Sequence, residues 1–219
     1  MKSFTHFIII FFMSLSVVSY SQENTDLLIL NKKYDAALQQ IENQINKQPR
    51  AELFLKKGVV FNQLQNYGEA VKAFSAAHKL VPNHPEVLQE LAEAHSALGN
   101  YHDALSFYEQ AYQLDTTNLQ LAGKLGRNYI NLKNYRNGYN VFDKIYKADS
   151  TNVYWNKQYA FCAYQIRKKE QATRLYEKVL ELNPRDYSSY FNLMKLYAAR
   201  KNNEKIVSLI EKGLEQFPG

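Results

Sequence analysis

The sequence predicts an all-α array of tandem helical hairpins. Three observations predict it. Pro184 and Pro218 stand 34 residues apart, and Pro82 stands three such steps before Pro184. Small residues and large rings recur in register along that 34-residue ruler. No stretch alternates apolar and polar residues as a half-buried strand does.

Composition sets the outer bounds. The 219 residues are 46% apolar and 22% charged, which suits a folded chain and not a disordered one. A single cysteine, Cys162, leaves no intrachain disulfide framework and no cysteine-rich zinc site. Tyrosine is over-used, with 17 against one tryptophan.

The elements follow in chain order. Met1 to Ser21 reads as a secretory signal peptide. Lys2 opens it, Phe7 to Met13 forms the apolar run, and Ser19 and Ser21 are the small residues before a cut ahead of Gln22. A spanning anchor needs about 20 apolar residues, and Ser14, Ser16 and Ser19 dilute this run. No cysteine lies near the cut, so no lipid anchor is expected. An exported chain, in the periplasm or envelope of a Gram-negative cell, does not meet chromosomal DNA. The net charge of +6 and the pI near 9.1 are therefore weak evidence for nucleic acid.

The repeat domain spans 22–219. The ruler laid from Ala51 gives repeats 51–84, 85–118, 119–152, 153–186 and 187–219, with a partial repeat over 23–50 shifted by one residue. The eighth position holds Gly58, Ala92, Gly126, Ala160 and Met194, and the twentieth holds Ala70, Ala104, Gly138, Ala172 and Ile206. The twenty-fourth holds Phe74, Tyr108, Phe142, Tyr176 and Ile210. Two helices approach closely only where both faces carry Gly or Ala, and a ring fills the space where they splay. Gly213 offers compensation in the fifth repeat, where Met194 and Ile206 are large. Each repeat has a mid-turn, Leu64-Gln65-Asn66-Tyr67, Leu98-Gly99-Asn100-Tyr101 or Leu132-Lys133-Asn134-Tyr135, whose Asn is expected to take the left-handed backbone. Asn118, Asn152 and Asp186 stand where N-caps are wanted, and Pro85 suits a first helical turn.

These residues resemble the tetratricopeptide repeat family. Gly58, Phe61, Tyr67, Ala70, Phe74, Ala77 and Pro82 carry the likeness in the first full repeat. Leu91, Ala92, Tyr101, Ala104, Tyr108 and Ala111 carry it in the second. Leu125, Gly126, Tyr129, Tyr135 and Phe142 continue it, as do Ala160, Ala172, Tyr176 and Pro184. The resemblance implies a right-handed α-α superhelical solenoid of tandem TPR helical hairpins. It further implies a concave wall, lined by the first helix of each repeat, that binds an extended peptide or a helix of another protein.

By the family's pattern that wall presents Glu86, Glu90 and Glu93, then Lys124 and Arg127. Tyr154, Lys157, Phe161 and Tyr164 follow, then Phe191, Asn192 and Lys195. The wall is expected to be acidic first, with Glu52 adding to it, then basic and aromatic, suiting a peptide with a carboxylate end and an apolar anchor. Two alternatives stand beside this: Lys124 and Arg127 pair with Glu90 and Glu93, or Phe161 belongs to the core. The carboxylate clamp of some family members is not matched. Lys157 fits one place, but Phe161 sits where an Asn belongs.

No nucleophile elbow, phosphate loop, dinucleotide motif or HExxH appears, so no catalysis, cofactor or metal is expected. His78, His84, His95 and His102 share no helix face suited to a metal, and Cys162 reads as a small buried hydrophobe. Ile206, Val207, Leu209, Ile210 and Leu214 crowd the last helix, so this end is expected to dock on a partner, a second copy or further repeats. The expected function is a non-catalytic scaffold for an envelope partner. The alternative is the input module of a longer chain whose effector lies beyond Gly219.

Overall fold

The computed structural model describes residues 25–217. The signal peptide at 1–21, the cut at Gln22 and Pro218-Gly219 lie outside them. The described residues form helices and turns and contain no strand. The described part of α1 is 25–30. It is followed by α2 (Tyr34–Lys47), α3 (Ala51–Gln63), α4 (Tyr67–Leu80), α5 (Pro85–Ala97), α6 (Tyr101–Leu114) and α7 (Leu119–Asn131). Then come α8 (Tyr135–Ala148), α9 (Val153–Gln165), α10 (Lys169–Leu182), α11 (Tyr187–Ala198) and α12 (Asn203–Gln216). The odd-numbered helices from α3 onward begin at Ala51, Pro85, Leu119, Val153 and Tyr187, one every 34 residues.

The chain divides into two compact units, one up to Gly99 and one from Asn100 onward. The sequence suggests one domain over 22–219, and the division instead falls in the turn between α5 and α6. The first unit buries Ala37, Ile41, Leu53 and Val60 as one cluster. The second buries Phe142, Tyr159, Cys162, Tyr176, Leu193 and Leu196 among others. In the first unit α3 packs on α4; in the second α7 packs on α8, α9 on α10 and α11 on α12.

Packing within a hairpin sets a ring directly on a glycine. A Cβ added to Gly58 of α3 would lie 2.3 Å from the Phe74 ring of α4. The same arrangement holds Gly126 of α7 against Phe142 of α8, at 2.6 Å. The ring thus covers the small residue itself instead of filling a gap beside it. Dispersion attraction needs this contact, because a gap of even 1 Å forfeits much of it.

The turns correct one expectation. The left-handed residue is Gln65, Lys133, Arg167 or Lys201, with φ between 56° and 64°, or Gly99 at 78°. The Asn that follows has an ordinary φ and caps the next helix. Asn66 accepts from the Glu69 N–H, Asn134 from Asn137 and Asn202 from Lys205. The helix's orphan N–H groups make a cap a better use of Asn than the kink. Exposed Gln, Lys and Arg carry the left-handed turn at a cost of about 1–2 kcal/mol. Asn118, Asn152 and Asp186 cap α7, α9 and α11.

A second register joins neighbouring hairpins of the C-terminal unit. Tyr129 of α7 donates its hydroxyl to Glu109 of α6 at 2.5 Å, and Tyr197 of α11 donates to Glu177 of α10 at 2.6 Å. Tyr159 of α9 donates to Asp143 of α8 at 2.5 Å. The three carboxylates share the twenty-fifth position of the ruler. Ala163 replaces the tyrosine of Tyr129 and Tyr197 in α9, and Tyr159, one turn earlier, reaches the acid instead. Burial first, and then the adjacent carboxylate, pushes all three phenol pKa values up, so the hydroxyls stay donors.

Two substitutions test the ring-on-glycine packing. Gly58→Ala should cost about 1–3 kcal/mol of urea-unfolding stability. Gly68→Ala meets nothing within 4 Å, so it should be neutral or stabilising by up to about 1 kcal/mol. Tyr129→Phe and Tyr197→Phe should each cost about 1–2 kcal/mol, since each strands a carboxylate that now has a donor.

Candidate functional site

The candidate residues divide between the units. In the first, Glu86, Glu90 and Glu93 stand on one face of α5, because positions four and three apart are neighbours on a helix. Two of them are engaged. Glu90 accepts from the Asn62 side chain of α3 at 3.3 Å, and Glu93 from Gln89 at 3.0 Å. Glu86 is exposed in the first turn, where a carboxylate complements the helix dipole. Glu52 faces Lys56 one turn on at 3.1 Å, and Lys56 also holds Asp26 at 2.7 Å. Burial would lower the Lys56 pKa, but the two carboxylates outweigh it and raise it.

In the second unit α7, α9 and α11 run in succession. Gly123 lets the Trp155 ring of α9 lie against α7, where a Cβ would stand 2.3 Å from it. Lys157 of α9 reaches Asp186, the cap of α11, at 2.7 Å. Asp186 also accepts from the Ser188 hydroxyl at 2.7 Å and the Ser189 N–H at 2.9 Å. Burial alone would raise the Asp186 pKa, but Lys157 and the two serines hold it below the usual carboxylate value. Lys157, expected to face a ligand, therefore already has its charge matched.

The aromatic stripe stands. Tyr154, Lys157, Phe161 and Tyr164 share one face of α9, and Tyr154 and Tyr164 are 42% and 38% exposed. Phe161 is half-buried with its edge toward Tyr135, ring centroids 5.7 Å apart, so it belongs partly to the packing. On α11, Phe191 is exposed with the Lys195 ammonium over its ring at 4.1 Å. The Asn192 amide bonds back to the Ser188 carbonyl at 2.9 Å. Lys124 is half-buried and Arg127 exposed on α7.

Three features were missed from sequence. Asp186 was recognised as a cap but not as the partner of Lys157. Tyr187, at the head of α11, is widely exposed. A groove of about 600 Å³ opens between α10, α11 and α12, lined in part by Leu180, Tyr190, Leu193, Tyr197 and Leu209. It accompanies the large Met194 and Ile206 of the fifth repeat. Gly213 does not close the space, since a Cβ there would stand 3.7 Å from Tyr190.

Cys162 is buried in α9 against Gly138, and burial pushes its thiol up to about 12, so it packs and does not react. Among the described residues no group of three or more His, Cys, Asp or Glu could hold a metal ion. None of their helices is long and apolar enough to cross a membrane.

Tandem antiparallel hairpins on a 34-residue period, with glycine under ring, define a tetratricopeptide repeat protein. The family model described as "Psidin, N-terminal TPR repeats region" matches residues 28–157, more than half of the chain, and the chain belongs to that family. Solved structures share the fold. A tetratricopeptide repeat protein from Parabacteroides merdae ATCC 43184 is 19% identical at a TM-score of 0.73, over 90% of this chain and 79% of its own. MamA is 17% identical at 0.71, over 76% and 91%. YrrB, described as "a TPR protein with an unusual peptide-binding site", is 16% identical at 0.72, over 81% and 92%. No curated protein matches the chain in sequence. Arrays of this kind are in general binding folds and not catalytic ones.

The Asp186 ion pair carries a pH signature. A carboxylate whose folded pKa is depressed contributes stability that is complete above its ordinary value and is lost as pH falls below it. Wild type should lose stability more steeply than Asp186→Asn as pH drops from about 5 to about 2, followed by urea unfolding at each pH.

Proposed function

We propose that the chain is a non-catalytic, exported scaffold. It binds an extended peptide or a helix of an envelope partner on the outer faces of its first helices. One observation carries this reading: Tyr154, Tyr164 and Phe191 remain exposed on α9 and α11, although rings elsewhere in the unit are buried in the core. Exposed rings of this kind are the usual anchors of a protein interface. Arg127 adds an exposed cation to the same set of helices. The family membership and the fold shared with a peptide-binding TPR protein support the reading.

The pairing of Lys157 with Asp186 shifts the expected ligand. Recognition of an acidic terminus rests on Arg127 and Lys195, and most of the affinity comes from the rings. The partner segment is therefore apolar or aromatic at its centre, with acidic residues toward its edge. The leader at 1–21 places the encounter outside the cytoplasm, and sequencing the exported product should find Gln22 at its N-terminus.

The test is a crosslinking pull-down from the envelope. Tyr164→Ala and Phe191→Ala should each weaken recovery of the partner about 30-fold, the equivalent of about 2 kcal/mol, with helical content unchanged. Lys157→Glu is unsuited as a probe because it also strands Asp186. If the double variant recovers the same partners as wild type, binding lies elsewhere.

A further inference from the structure

The C-terminal unit shows three times how a first helix seats on the hairpin before it, and so what its last described helix is built to receive. On α8 the receiving residues are Tyr139, Phe142, Asp143 and Tyr146. Tyr139 and Tyr146 flank Tyr159 of α9 with ring centroids at 4.9 and 5.8 Å, and Phe142 stacks on Trp155 at 5.9 Å. Asp143 takes the Tyr159 hydroxyl, as Glu109 takes Tyr129 and Glu177 takes Tyr197. The corresponding residues of α12, two and then three 34-residue steps along the ruler, are Val207, Ile210, Glu211 and Leu214.

All four are exposed. Ile210 is 43% exposed, whereas Phe74, Tyr108, Phe142 and Tyr176 at the same position are at most 1%. Val207 is 55% and Leu214 67% exposed. Glu211 is exposed where its three counterparts each hold a tyrosine hydroxyl. The apolar residues and the carboxylate thus reproduce an interface the unit already uses.

We propose that the outward face of α12 is the docking site for a tetratricopeptide-type hairpin of a partner protein, whose leading helix seats a tyrosine hydroxyl on Glu211. A second copy of this chain does not supply that helix. Its α3 and α5 carry no tyrosine. Tyr129, Tyr159 and Tyr197 are buried and bonded to their own carboxylates. The face also specifies the partner further. Gly123 leaves room for Trp155, but its counterpart on α11 is the exposed Phe191. The partner helix therefore carries a small residue where α9 carries tryptophan.

A photo-crosslinking residue placed at Ile210 of the full chain, in cells that make the protein, tests this. The mapped crosslink is expected on a tyrosine-bearing helix of a hairpin repeat in another polypeptide. Leu214→Glu should abolish it, and Glu211→Gln should cut its yield about threefold to tenfold. Leu214 is exposed, so circular dichroism of that variant should match wild type. A crosslink to a second copy, to the same chain or to a segment outside a hairpin repeat overturns the proposal. So does a yield indifferent to Leu214→Glu, or no crosslink at all. Tyr164→Ala should leave the crosslink intact, which separates this face from the stripe on α9.

Discussion

The whole arrangement depends on glycine lying under an aromatic ring. Gly58 under Phe74 and Gly126 under Phe142 bring the two helices of a hairpin together face to face. The backbone of one helix becomes the floor on which a buried ring of the other rests. Nothing larger than Gly or Ala fits there, because protein interiors are packed to the density of organic crystals. A single hairpin still leaves one face of its second helix uncovered, so the packing is complete only when another hairpin follows. Repetition is a consequence of that contact.

The contact between hairpins is different in kind. It is ring-rich, but it is also polar, and it is the polar part that fixes register. A tyrosine hydroxyl bonded to a partly buried carboxylate is satisfied in one alignment only, whereas apolar contacts tolerate sliding. Tyr159 shows how firmly the acid end is held: when Ala163 takes the usual tyrosine position, the hydroxyl comes from one turn earlier and the carboxylate stays in place. With its inward and lateral faces committed, each first helix has one face left for another molecule. That face of α9 carries Tyr154 and Tyr164, and no packing demand explains their exposure.

How much of this is legible in the sequence depends on the distance over which the deciding interaction acts. The period, the small positions and the caps at Asn118, Asn152 and Asp186 are local or strictly repeated, and they read correctly. Asn66 and Asn134 misled because Asn serves two purposes at a helix end, and the choice between kink and cap is made by the N–H groups of the next helix. The Lys157–Asp186 pair joins residues 29 apart and is not repeated elsewhere on the ruler, so no pattern announces it. The Tyr–carboxylate bonds are repeated, yet Tyr129 and Tyr197 already looked accounted for as rings in family positions. Their hydroxyls needed a partner, and a buried hydroxyl seldom goes without one. The separate units, meeting at the turn that holds Gly99, left no mark in composition.

The fifth repeat shows what happens when the small positions are lost. Met194 stands where Gly58 and Gly126 stand in their hairpins, and it is exposed instead of being covered by a ring. Ile210, in the ring position, is aliphatic and exposed as well. The groove between α10, α11 and α12 is the volume that ring-on-glycine packing would have removed. Even so, the twenty-fifth position of this repeat keeps its acid, Glu211. Positions that serve the hairpin's own packing have drifted here, while the position that serves a neighbour's tyrosine has kept its chemistry. A face that no longer optimises its own hairpin but retains the means of holding another is best understood as a surface for association.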